Sequence, residues 1–308
     1  MAKAKRKPQR ARPADRSLLL LALLAGLCVV VAGLYGWFSP GTYQDDDIDR
    51  FFLSQRAWVQ PELFLDRWAM PIPVLLFALP ARLFGYGGVE WTTALLSGLA
   101  VFIIGLAARN SGSRWPWLAG AFFFLQPIVL ELSFSALAEP AGALLVAALL
   151  WAWSARRHDT AMLMAGLLPL ARIDLGVLSL IAAGVCWKHA SWWGRAAVLA
   201  PGLVWNGLGF LATGEPLFVL SGSHSKPLNS LGVWIYAKNA IIVVGAVVLF
   251  FFVFAVVERL RTRREAVPSD TSFRFPGLAL VLAVVHWILL TLLAWGALPV
   301  GRSVGFLR

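Results

Sequence analysis

From Ser17 to Phe38 the chain runs through 22 consecutive residues without a charged side chain. A helix that crosses the hydrocarbon core of a bilayer needs about 20 such residues. The run is too long for a signal-peptide core. The residues that close it, Tyr35-Gly-Trp-Phe-Ser-Pro, offer no small-residue cleavage site. It reads as a retained first transmembrane helix.

Apolar runs recur over 90–108, 115–134, 138–155, 160–171, 175–187, 195–212, 239–257 and 276–297. The sequence therefore predicts about nine spans, with the fifth and sixth short and joined at Ala171-Arg172-Ile173-Asp174. Hydrophobic residues make up 59% of the 308, charged residues 14%, and the mean hydropathy is +0.73. Soluble domains run at about 45–50% apolar and about 25% charged. Two soluble domains could not bury this much apolar surface, and disorder is excluded for the same reason. The fold class is an all-α polytopic transmembrane helix bundle. Cys28 and Cys186 lie in apolar runs with no partner at metal spacing and read as small core residues.

The segment 71–85 is apolar, but it spans about 15 residues and carries Pro80 and Arg82. By length it is interfacial or re-entrant. If it does not cross, the inner loops and the basic tail 1–16 hold 18 of the 27 Lys and Arg. The outer side then holds 11 of the 16 carboxylates, giving +13 inside and −2 outside. That bias fits the positive-inside rule and a cytoplasmic N-terminus. The net charge of +11 is thus a record of sidedness, not a nucleic-acid footprint. The expected organisation is a tail, 1–16, and one membrane domain, 17–308, with 39–89 as a long extracytoplasmic first loop. No fixed-period repeat is visible.

The unusual residues gather on the predicted outer face. Asp45, Asp46, Asp47 and Asp49 crowd just after the first helix. Adjacent carboxylates repel, which suits a general base or a divalent metal. The plain alternative is an acidic first turn favoured by the helix dipole. The amphipathic stretch 51–59 and the segment 71–85 would seat this loop on the membrane surface, as a site for a lipid-borne substrate requires. Glu131 and Glu139 flank a turn at 132–138, and Glu139-Pro140 reads as a helix start. Arg172 and Asp174 form either a local ion pair or, through the guanidinium, a phosphate contact. His224 and Lys226, among Ser221, Gly222, Ser223 and Ser225, form either a solvated loop or a dock for an anionic head group. His286, inside the last span, reads as a core histidine. No nucleotide-binding, zinc-protease or serine-hydrolase motif is present.

The ordered set of features resembles the GT-C class of integral-membrane glycosyltransferases, relatives of the bacterial aminoarabinose and protein mannosyl transferases. The matching order covers about 17–308. It comprises a first span, the acids Asp45-Asp46-Asp47, an interfacial Pro-rich helix ending in Leu83-Phe84-Gly85, a span ending at Gln126-Pro127 with Glu139 beyond it, and Leu170-Ala-Arg-Ile-Asp174. The chain departs from the pattern at Gly305-Phe-Leu-Arg308, which looks like the middle of a motif that continues in other members.

The resemblance implies a catalytic first-loop aspartate, Asp46 by preference, with Asp45 and Asp47 as alternatives or as ligands to Mg²⁺ or Mn²⁺. It implies substrate or lipid-phosphate binding by Glu139, Arg172, Asp174, His224 and Lys226. The expected partners are a polyprenyl-phosphate-linked sugar donor, a lipid, glycan or protein acceptor, and membrane lipid. The expected place is the plasma membrane, with the site extracytoplasmic. Two alternatives stand beside this reading: a transporter or lipid flippase, which would carry ionisable residues near the bilayer midplane, and a non-catalytic assembly subunit.

Overall fold

The computed structural model describes residues 16–38, 45–113, 115–219 and 221. The described residues are all helix and turn. In order they form α1 (Arg16–Phe38), α2 (Asp45–Arg56), α3 (Pro71–Asn110), α4 (Pro116–Phe124), α5 (Pro127–Leu132), α6 (Glu139–Ser154), α7 (His158–Ala171), α8 (Gly176–Cys186) and α9 (Trp192–Thr213). Short 3₁₀ turns lie at Pro61–Leu65 and Ile173–Leu175.

Three of these helices, α1, α3 and α9, are long and apolar enough to cross a membrane. Much of their surface faces outward as large apolar side chains, among them Leu19, Leu23 and Leu27 on α1 and Leu199, Leu203 and Leu211 on α9. This is a membrane-associated helical protein. Nine full-length spans are not what the described residues show. The expected third span, 115–134, breaks into α4 and α5 at Gln126, whose backbone is extended ahead of Pro127. Helices α6, α7 and α8 have 16, 14 and 11 residues. At 1.5 Å per residue the longest of them reaches about 24 Å. The expected spans 239–257 and 276–297 lie outside the described residues.

Close packing at glycine sets the helix arrangement. A Cβ at Gly98 would stand 2.9 Å from the Ala25 carbonyl oxygen, and one at Gly105 would strike Leu21, so α1 lies hard against the second half of α3. Gly166 plays the same part between α7 and the carbonyls of Ala197 and Val198 on α9. The main apolar core, with Leu149, Met162, Leu168 and Leu178, joins α6, α7 and α8.

Helix α3 is broken at Gly85, whose φ of 65° and ψ of −152° suit glycine alone. The chain bends so sharply there that a Cβ at Gly88 would meet the Pro80 carbonyl oxygen at 2.6 Å. The bend ends the apolar segment 71–85 and sets Tyr86 and Glu90 just beyond it.

Candidate functional site

Helix α2 buries polar residues. Asp47, Arg50 and Ser54 recur at intervals of three and four, so they share one face, and all three are buried, while Phe52 on the same helix is exposed. A helix lying on a soluble core would do the reverse.

The inward face of α2 grips the backbone of a single residue, Ala136. The Ala136 N–H donates to Asp47 Oδ1 at 2.5 Å, and Arg50 Nη1 donates to the Ala136 carbonyl at 3.5 Å. The Tyr86 hydroxyl donates to Asp47 Oδ2 at 2.5 Å. One buried carboxylate thus joins α2, the bend in α3 and the turn 132–138. The sequence places that turn at the outer ends of two spans. Every residue in it is buried, from Leu132 to Ala138. Ser133 and Ser135 keep their hydroxyls satisfied on the carbonyls of Leu130 and Leu132, which makes a buried turn affordable.

Arg50 also donates through Nε to the Ala69 carbonyl at 3.2 Å and lies 4.9 Å from the Trp68 ring centre. Asp66 shapes that loop by accepting the N–H groups of Trp68 and Ala69 at 2.8 and 2.6 Å. Among the described residues Arg50 makes no ion pair. Burial and the like charge of Arg172 push its proton affinity down, while Glu139, Asp46 and Asp47 oppose them. A guanidinium stays charged under such pressure.

Arg172 ends α7 and is shared by two acids. It meets Asp174 through two parallel contacts of 2.9 and 3.1 Å and also pairs with Glu139. Burial lowers its proton affinity, but Glu139 and Asp174 outweigh that and raise it. Glu139 Oε2 is buried with no hydrogen-bond partner.

Several residues singled out in the sequence therefore meet. Asp46, Asp47, Glu139 and Arg172 all lie close enough to Arg50 to act on its proton affinity, and Asp174 joins them through Arg172. Asp46 is exposed, in contrast to Asp47. The Asp45 side chain, His224, Lys226 and His286 lie outside the described residues. Glu131, on α5, is half-buried. Sequence reasoning missed Arg50 and Tyr86. The only signal for Arg50 was its position three residues after Asp47.

The expected metal ligands are Asp45, whose side chain lies outside the described residues, and Asp47. Among the described residues no His, Cys, Asp and Glu side chains form a group of three or more that could hold an ion, and both Asp47 oxygens already accept hydrogen bonds.

Comparison of the chain with protein families, with curated proteins and with solved structures finds no match.

Proposed function

We propose that the chain is a membrane glycosyltransferase that moves a sugar from a polyprenyl-phosphate carrier to an acceptor, with α2 at the centre of its site. The observation that carries the reading is Arg50, a buried guanidinium without an ion-pair partner among the described residues, beside the exposed carboxylate of Asp46. A cation held ready and a free carboxylate are the two groups such a transfer needs. In this reading Asp46 accepts the proton of the acceptor hydroxyl as its oxygen attacks the sugar carbon. The bond from that carbon to the carrier phosphate breaks, and Arg50 stabilises the charge left on the phosphate. Asp47 is bound on both oxygens and holds α2 in place. Arg172, neutralised by Glu139 and Asp174, orders the far wall. The resemblance to GT-C enzymes and the long apolar helices support the same reading, with the site on the extracytoplasmic side of the plasma membrane.

The test uses the full chain in lipid nanodiscs with a polyprenyl-phosphate hexose labelled in the sugar. Release of polyprenyl phosphate with transfer of label is expected. Asp46→Asn should reduce it by about 10²-fold or more, the range for loss of a general base, with folding unchanged. Full activity in Asp46→Asn would remove the base assignment, and no turnover of any carrier sugar would remove the enzyme reading. The discontinuous stretch of α4 and α5 favours a transporter or lipid flippase. Movement of the carrier across a vesicle membrane without bond cleavage would establish that alternative.

A further inference from the structure

At the ends of α6 and α8 farthest from Glu139 and Asp174, two turns meet. One joins α6 to α7 and the other joins α8 to α9. Asp159 fastens them, its Oδ1 accepting the Ser191 N–H and its Oδ2 the Ser191 hydroxyl, both at 2.7 Å. The rings of His158 and His189 lie 5.1 Å apart across the junction. Gly194 leaves no room for a Cβ against Asp159.

The fastened turns bring together four cations: Arg156, Arg157, Lys188 and Arg195. The nearby acid, Asp159, spends both oxygens on Ser191. Among the described residues none of the four cations makes an ion pair. Arg157 and Arg195 are steadied over Trp151 and Trp187 at 5.1 and 5.5 Å. Arg156 and Lys188 are exposed. Arg156 also adopts a φ of 59°, in the left-handed region. Helices usually end there on glycine, because a Cβ is strained in that conformation. An arginine at that position keeps a charge at the cost of the helix end.

Apolar surface adjoins these charges. Trp192 and Trp193 open α9 and are 70% and 77% exposed, and the exposed leucines of α9 continue from them along a helix long enough to cross a membrane. Cations at the head of an exposed apolar helix, with tryptophans between them, match a molecule whose anionic group sits above its hydrocarbon chains.

We propose that this junction binds the phosphodiester head group of an anionic membrane lipid, with Arg156 and Lys188 on the phosphate and the acyl chains lying along α9. The site is separate from the one around Arg50 and does not depend on the glycosyltransferase reading. Clustered cations attract the phosphate, and the interface strengthens that attraction relative to bulk water.

The probe is phosphatidylglycerol in phosphatidylcholine nanodiscs holding the full chain, with bound lipid counted by native mass spectrometry. Selective retention of phosphatidylglycerol is expected. Arg156→Gly is the informative variant, because it relieves the left-handed strain. Its thermal stability should hold or rise while lipid affinity falls about fivefold, the loss expected for one interfacial charge. Lys188→Gln should fall by a similar factor. Arg82→Gln, on the first half of α3, removes one charge elsewhere and should change nothing. Retention unaffected by Arg156→Gly and Lys188→Gln would overturn the proposal. So would an equal loss in Arg82→Gln, which would mean bulk charge alone. Displacement of the lipid by inorganic phosphate at equal concentration would also overturn it, marking a pocket for a soluble anion.

Discussion

Asp46 and Asp47 are neighbours in the chain with opposite environments, and that contrast organises the site. Asp47 is wholly buried and accepts from Tyr86 and Ala136. Replacing it with alanine strands a half-buried hydroxyl and a buried peptide N–H, the buried one costing about 1–3 kcal/mol. Asp47→Ala should therefore lower unfolding stability by about 1–4 kcal/mol, read as a shift in thermal or denaturant midpoint in detergent. Asp46→Ala, at an exposed position, should stay within about 0.5 kcal/mol of the parent by the same measurement. The sequence alone does not say which of three successive aspartates points inward. On a helix each step turns the side chain by about 100°, so which acid points inward depends on which face of α2 is covered. The covering surface combines the bend in α3 with the turn 132–138, about 90 residues downstream, and nothing in the local pattern announces it.

Among the helices, what the sequence made legible depended on whether a break carried a chemical mark. The first helix, expected at 17–38, is observed as Arg16–Phe38, because an unbroken apolar run has only one stable form in lipid. Gly85 was readable as the end of the apolar segment, and the backbone turns there through a conformation open to glycine. At Gln126 the two lines of reading differed: the resemblance ends a span at Gln126-Pro127, where the helix does break, whereas the apolar run 115–134 continues on both sides and periodicity does not register an interruption inside a uniform run. The turn 132–138 and the helix start at Glu139 fall where the sequence places them, but the burial of the turn was not legible: Leu-Ser-Phe-Ser-Ala-Leu-Ala is as apolar as the helices around it, and the two serines satisfy themselves locally.

Between the elements, the fit of α1 against α3 rests on small residues. At Gly98 a Cβ would stand 2.4 Å from a Val29 methyl and 2.9 Å from the Ala25 carbonyl. The carbonyl belongs to the backbone and cannot turn aside. Gly98→Val should cost about 1–3 kcal/mol of stability by overpacking. A cysteine pair placed across α1 and α3 should form its crosslink more slowly in that variant.

For the whole molecule, two ties join distant parts of the chain, and acid should release them in a fixed order. The first is the junction of the α6–α7 and α8–α9 turns. Burial, and then the nearby His189, hold His158 below its ordinary value of about 6.5, and Arg156 adds to this while Asp159 opposes it. Arg157, Lys188 and Arg195 surround the same junction with further positive charge. A histidine whose folded value is depressed binds fewer protons when folded than when unfolded. Its contribution to stability is therefore complete above about pH 6.5 and is lost as pH falls through the depressed value.

The second tie joins the first loop to the chain after α9. Arg67 donates to Glu215 at 2.8 Å and to the Phe218 carbonyl at 3.0 Å, and both Arg67 and Glu215 meet Ser221. Hydrogen bonds from Ser221 and Arg67 hold the Glu215 carboxyl below the usual carboxylate range. This tie stays intact through the histidine window and is lost only at more acid pH, as Glu215 protonates. Hydrogen exchange measured across a pH series should thus show 187–191 gaining exchange first and 214–219 later. His158→Gln should abolish the first step and leave the second, and Glu215→Gln should abolish the second and leave the first. Simultaneous loss of both regions in the parent protein would show that the two ends open as one unit, and would overturn the ordering.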